Sequence, residues 1–314
     1  DGQMIASASD DKAVKLWNPD GTLLHSLEDH SAAIWGLAIS PDGQMIASAS
    51  DDKTVKLWRK DSTLVMTLTG HAAAVNAVAF SPDGQLIAAA SQEGAVRIWQ
   101  RSGELVQQWT AHEEIREEAE EGTKEGIQID AIAFSPDGQS LATGSGDALI
   151  KLWTLSGTLR TTLTGHTKAV QDVAFSPDGD TLASASSDRS VRRGNLQDNS
   201  QRTLDEHNNT VYAIAFRPDG EHIASASNDK TLKLWRRDGM LVSHFRGHTN
   251  GVTDVAFSAD GRAIASASFD KTVRLWQWDN PVLTTFQKHE GMVWDVAFSP
   301  DGQLIASSSQ DNSV

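Results

Sequence analysis

A closed ring of seven antiparallel β-sheets, four strands to each, is the fold class this sequence predicts, and three observations predict it. Histidines recur at positions 30, 71, 112, 166, 207, 248 and 289, spaced by 41 residues except for one step of 54. Every interval repeats one succession: an alternating apolar run such as VNAVAF (75–80), a Ser-Pro-Asp-Gly-like turn, a small-residue run such as LIAAAS (86–91), and a third run that closes on tryptophan, as in VRIW (96–99), in all but the interval after His166. Both ends of the chain carry the same phrase, DGQMIASASDDKAV (1–14) and DGQLIASSSQDNSV (301–314). A period of about 40 to 45 residues holding four strands is the mark of a propeller blade, so the expectation is an all-β, seven-bladed β-propeller whose ring is closed by N- and C-terminal strands.

Each element has its own reason. Apolar residues alternating with a period of two, bounded by Pro, Gly and Asp, read as a strand with one buried face. The turn after it joins it to the small-residue run, a second strand. A further turn leads to the V-x-L-W run, and a Gly turn to a fourth strand such as ELVQQW (104–109). One such sheet cannot bury its faces alone; stacking against neighbours buries them, and closing the ring leaves no blade without a neighbour. The blades are expected at about 31–71, 72–112, 113–166, 167–207, 208–248 and 249–289, with a seam blade from 1–30 plus 289–300, all in one domain, 1–314. Residues 301–314 begin an eighth repeat. The two ends compete for one place. The seam blade is expected to take its inner strand from VWDVAFS (293–299) and its outer strands from residues 3 to 27, so that His289 meets Ser7, Asp11 and Trp17, or else Ser307 and Asp311 of its own segment.

Composition narrows the function. A net charge of −15 disfavours a binder of phosphate backbones, whose affinity rests on Lys and Arg, so nucleic acid is not expected as a partner. No apolar run approaches the roughly 18 residues of a membrane-spanning helix, so neither is a membrane. The absence of cysteine removes disulfides and thiolate metal sites, and a cytoplasmic location is expected. No phosphate loop, zincin helix or dinucleotide fingerprint is present, so neither a cofactor nor a metal is expected.

The repeating frame, GHAAAVNAVAFSPDG followed by VRIW, resembles the WD-repeat (WD40) β-propeller family over the whole chain apart from a 13-residue insertion at 113–125. The near-identical repeats resemble bacterial-type arrays, which implies a larger regulator with the propeller as its sensor part. The Asp of the family's Trp-Asp pair is missing: Asn18, Arg59, Gln100, Thr154, Arg236 and Gln277 follow the tryptophans. The resemblance implies a buried hydrogen-bonded tetrad in each complete unit: His30, Ser48, Asp52 and Trp58; His112, Thr143, Asp147 and Trp153; His207, Ser225, Asp229 and Trp235; His248, Ser266, Asp270 and Trp276. Ser, His and Asp are also the side chains of a hydrolase triad, but a constellation stamped out along the chain, with no Gly-x-Ser-x-Gly elbow, reads as packing. Two units break the network. Ala89 and Glu93 replace the hydroxyl and the Asp after His71, and Arg193 and Gly194 stand where Leu and Trp belong after His166.

When the units are aligned on one another, the positions that vary describe what each blade offers to the outside. One residue into the inner strand the series runs Trp35, Asn76, Asp130, Gln171, Tyr212, Thr253 and Trp294, and the resemblance implies that it faces the narrow end of the channel. Phe269 precedes the turn Asp of its blade, so Tyr212, Phe269, Trp294 and Trp35 form an expected aromatic arc across the seam, facing a polar sector of Asn76, Asp130 and Gln171. The insertion EEIREEAEEGTKE, with Glu117 and Glu118 at its centre, carries seven Glu against two cations. The expected function is therefore a non-enzymatic scaffold holding a protein or peptide, basic in character, on the narrow face. A small-ligand or carbohydrate-binding propeller is the alternative; it would repeat one pocket between all blades.

Overall fold

The computed structural model describes residues 5–8, 11–18, 22–113, 126–198, 200–277, 280–299, 302–311 and 313. The chain forms a seven-bladed β-propeller of antiparallel blades. Three strands come first, β1 (Ile5–Ala8), β2 (Val14–Trp17) and β3 (Leu23–Leu27). The first complete blade follows: β4 (Ile34–Ile39), β5 (Met45–Ser50), β6 (Val55–Arg59) and β7 (Leu64–Leu68), hydrogen-bonded in chain order from the channel outward. Five more four-stranded blades repeat it, β8–β11 (75–110), β12–β15 (129–163), β16–β19 (170–204), β20–β23 (211–246) and β24–β27 (252–286). The chain closes with β28 (Val293–Phe298) and β29 (Ile305–Ser309).

The small-residue runs explain themselves in the packing. All six residues of β5 are buried, so both faces of a second strand lie against protein, and Ala and Ser keep those faces thin. Larger side chains from the flanking strands then meet between blades: Val55, Leu57 and Leu68 of one blade pack with Val75, Ile87 and Trp99 of the next in one core cluster. The turns are held by their own side chains. In Ser40-Pro41-Asp42-Gly43 the Ser40 hydroxyl donates to Asp42 at 2.5 Å, Asp42 accepts the Gln44 N–H at 3.0 Å, and Gly43 sits at φ +67°, where a side chain would be strained.

One irregularity decides where the site lies. In all seven inner strands the register with the second strand slips at the second residue, between Ile34 and Gly36, Val75 and Ala77, Ile129 and Ala131, Val170 and Asp172, Val211 and Ala213, Val252 and Asp254, and Val293 and Asp295. A bulge frees the extra residue from the ladder and re-aims its side chain. The residues skipped are Trp35, Asn76, Asp130, Gln171, Tyr212, Thr253 and Trp294, the series that varies from blade to blade.

At the seam the structure departs from the expected pairing. β28 pairs with β29 of its own segment, from Val293 opposite Ser309 to Phe298 opposite Ile305, while among the described residues β1 pairs with β2 alone. Residues 299–304 link β28 to β29 directly, and the entropic cost of closing so short a loop is below that of bringing in a strand from the far end of the chain. Both copies of the second strand therefore stand in the seam, β1 lying against β29 on one side and β4 on the other. The inner strands of the complete blades pack directly on one another around the ring; β28 and β4 do not pack in this way.

Candidate functional site

The histidines, hydroxyls and carboxylates come together as closed networks. His30 Nδ1 lies 2.7 Å from Asp52 Oδ2, its Nε2 lies 2.8 Å from Ser48 Oγ, and the Trp58 indole N–H donates to the same Ser48 oxygen at 2.9 Å. Because a carboxylate only accepts, Nδ1 carries the proton, Nε2 accepts the Ser48 hydroxyl, and Ser48 accepts the indole: no polar atom is left over. The same geometry holds His112 to Asp147 and Thr143 with Trp153, His207 to Asp229 and Ser225 with Trp235, and His248 to Asp270 and Ser266 with Trp276. Burial lowers the affinity of His30, His207 and His248 for a proton. Burial also pushes the Asp52 carboxyl up, but the hydrogen bonds from Thr54, His30 and the Ser31 N–H outweigh it and leave it below its ordinary value. The arrangement has the connectivity of a nucleophilic triad without its access, since Ser48, Ser225 and Ser266 are 0% exposed and their oxygens already accept an indole.

The irregular units show what each member contributes. Glu93 still reaches His71 Nδ1 at 3.0 Å and accepts an N–H of Arg97, but Ala89 offers no hydroxyl, and the buried His71 Nε2 has no hydrogen-bond partner among the described residues. Burial drives the His71 pKa down to about 4. Ala89→Ser is therefore expected to stabilise the protein by about 1 kcal/mol, read as a rise in the urea midpoint at unchanged slope. Ala89 faces Val78 as Ser184 faces Val173 and Ser266 faces Val255, so a serine there has the strand neighbour it has in those blades. In the unit of His166 the bonds to Asp188 and Ser184 remain, at 2.8 Å each, and Gly194 leaves the network without an indole. At the seam the tetrad is split: Trp17 donates to Ser7 at 3.0 Å without a histidine, and His289 bonds Ser307 and Asp311 without a tryptophan.

With the repeated polar residues engaged in packing, the mouth of the central channel is where the blades differ. A cavity of 610 Å³ opens there, lined by all seven bulge residues. Phe269 packs edge to face on Tyr212, ring centroids 5.9 Å apart, and on Trp294 at 5.1 Å, forming a continuous aromatic shelf. Across the seam Trp35 is 55% exposed and donates its indole N–H to Asp51 at 2.7 Å. In the polar sector Asn76 donates to Asp130 at 3.1 Å, and between the aromatic blades the Thr253 hydroxyl donates to the Val293 carbonyl of the next blade at 2.8 Å. Glu117 and Glu118, with the rest of 114–125, lie outside the described residues.

Three carboxylates at this mouth were absent from the expected set. Asp172, Asp254 and Asp295 occupy the third position of their inner strands, where other blades carry Gly36, Ala77, Ala131 and Ala213, and all three line the cavity. Asp172 accepts the Ile214 N–H at 2.9 Å and Asp254 the Val296 N–H at 2.8 Å, each bracketing its blade to the next. Burial raises the Asp130 pKa to about 6, and burial with the charge of Asp295 raises Asp172 to about 7 and holds Asp254 well above its ordinary value. The signal available in the sequence was a charged residue at a position that is otherwise Gly or Ala.

The profile of the WD domain, G-beta repeat, matches residues 1–18, 21–59, 62–100, 120–154, 157–192, 198–236, 239–277 and 280–314. The chain belongs to the WD40 family. Among curated proteins, nuclear distribution protein nudF 1 of Talaromyces marneffei and nudF 2 of Aspergillus clavatus are each 51% identical to it over 45 residues, 14% of this chain and 10% of theirs. The match is thus about one WD40 repeat long and leaves nine-tenths of each relative unmatched. WD40 propellers serve generally as protein-interaction scaffolds, typically without catalysis.

Proposed function

We propose that this WD40 propeller is a non-enzymatic scaffold that binds an extended peptide segment over the narrow mouth of its channel, with a cationic side chain of the segment entering the cavity. The observation that carries the reading is the pairing, in one cavity, of the aromatic shelf with the carboxylates Asp130, Asp172, Asp254 and Asp295. Aromatic side chains supply area and rigidity at an interface, and a cation beside a ring face gains further attraction. The carboxylates supply a charge that no cation of the described residues neutralises within salt-bridge distance. Asn76 and Gln171 give hydrogen bonds that orient the segment, and the charge of the acidic insertion, Glu117 and Glu118 included, favours basic sequence. The variation of the bulge residues favours this over a pocket repeated between all blades.

Selection of peptides from a displayed random library tests the reading. Enrichment of Lys or Arg is expected, with binding weakened at least tenfold, about 1.4 kcal/mol, in the Trp35→Ala plus Trp294→Ala protein. Peptides without basic bias that bind both proteins alike would refute it. Because a bound cation favours ionised Asp172, binding releases a proton, and affinity is expected to rise between pH 6 and 8.

A further inference from the structure

One blade gathers cations on its outer half without the carboxylates that would balance them. In every repeat the third strand carries a Lys or Arg, and in six of the seven ladders to the fourth strand the residue directly opposite is uncharged: Ser26, Thr67, Gln108, Thr162, Thr203 and Thr285. The seventh differs. Between β22 (Thr231–Arg236) and β23 (Leu241–Arg246), Lys233 stands opposite His244, and Thr231 opposite Arg246. Opposed residues share a face, as do residues two apart along a strand, so Lys233, His244 and Arg246 are neighbours, an arrangement in which like charges repel. The nearest acids are engaged elsewhere. Asp229 Oδ2 lies 2.8 Å from His207 Nδ1 and accepts the Asn208 N–H, and its Oδ1 accepts the N–H and hydroxyl of Thr231. Lys56 pairs with the carboxylate of Asp29, whereas Glu206, in the place of Asp29, gives Lys233 only its backbone carbonyl, at 2.6 Å. Lys233 is nevertheless 4% exposed. Burial lowers its affinity for a proton, and burial with the charges of Lys233 and Arg246 lowers that of His244. Together with Lys230 these side chains line a pocket of 310 Å³ that shares no residue with the channel mouth.

We propose that this pocket binds a phosphoryl group, held by the exposed Arg246 and His244 at its rim and by the buried Lys233 below them. The guanidinium of Arg246 offers a fork matched to two oxygens of the group. Lys233 Nζ keeps further N–H donors after its bond to Glu206, and Asn208 lines the same pocket. The bound dianion turns mutual repulsion among the cations into attraction. The net charge of −15 opposes approach to an extended polyanion such as a nucleic acid or an anionic membrane, and the pocket has room for a single group. The phosphoryl group is therefore carried by a small molecule or by a phosphorylated side chain.

Calorimetric titration of the full chain at constant ionic strength tests this, with inorganic phosphate as one probe and a short alanine peptide centred on phosphoserine as the other. Both are expected to bind, and the same peptide without its phosphate is not. His244→Thr plus Arg246→Thr installs the residues that another blade carries at these positions, Thr67 and Thr69, so the fold is kept while affinity for both probes is expected to fall about tenfold or more. Arg59→Gln plus Lys60→Gln removes exposed cations from another blade and is expected to leave both affinities unchanged. Tighter binding of the peptide than of inorganic phosphate assigns the group to a side chain; equal or weaker binding assigns it to a small molecule. Binding of neither probe at millimolar concentration, a peptide that binds as well without its phosphate, or equal weakening by the two pairs of substitutions would each overturn the proposal.

Discussion

Trp235→Ala is expected to cost about 3 to 5 kcal/mol of folding stability, the range for deleting a large buried aromatic side chain. The indole is 2% exposed and packs in one cluster with Ala183, Ala185, Val191 and Leu204, which reach it across the boundary between blades. Its ring meets His207 edge to face at 6.3 Å, and its N–H is donated to Ser225. Truncation thus opens a cavity between two sheets and removes the donor at one end of the hydrogen-bonded chain. Trp235→Phe separates the two losses: it keeps most of the packing and is expected to cost about 1 kcal/mol for the hydrogen bond. Ser225→Ala combined with Trp235→Phe is expected to cost less than the sum of the single changes, because both break the same network. Urea unfolding of the four proteins decides it. Strict additivity, or a cost below 1 kcal/mol for Trp235→Ala, would show that the tetrad does not bind strand to strand.

How far the sequence could be read follows the range over which each feature is determined. The blades were legible because their causes are local: VNAVAF alternates, Ser40 and Asp42 hold their own turn, and the small side chains of β5 announce a strand covered on both faces. The tetrads were legible through the resemblance to WD repeats, whose His, Ser, Asp and Trp positions this chain fills in phase, 18 residues from His30 to Ser48 and 10 from Ser48 to Trp58. The bulge was not. A strict alternation read through VNAVAF assigns Asn76 and Ala77 to opposite faces, and nothing in those letters says that the ladder skips Asn76. The acids were missed for the same reason, because Asp172 in VQDVAF reads as one polar position of a strand until the ring places it in one cavity with Asp295. The seam depends on two segments nearly three hundred residues apart, and the choice between β1 and β29 as partner of β28 is one of loop closure and packing that the two matching phrases leave undecided.

Asp172 shows what this crowding of carboxylates costs and gives the second large effect. Its folded-state pKa of about 7 lies above its ordinary value of 3.8, chiefly through burial, with Asp295 adding like-charge repulsion. The folded protein therefore holds a proton that the unfolded chain has released between those two values. The group places no penalty on folding below about pH 4; stability falls as pH rises from 4 to 7, and the loss stays constant above 7. At about 1.4 kcal/mol for each pH unit, reduced by the water that reaches the channel, the loss at pH 8 comes to about 2 kcal/mol or more. Asp172→Asn removes the charge and keeps an oxygen to accept the Ile214 N–H, so it is expected to stabilise the protein by about that amount at pH 8 and by almost nothing at pH 4. Thermal unfolding of both proteins across this range measures the difference. A constant offset between the two curves would mean that Asp172 is ionised throughout and that a cation already balances it. A gain that grows with pH and shrinks when a basic peptide is bound would instead tie the strain in the channel wall to the ligand that relieves it.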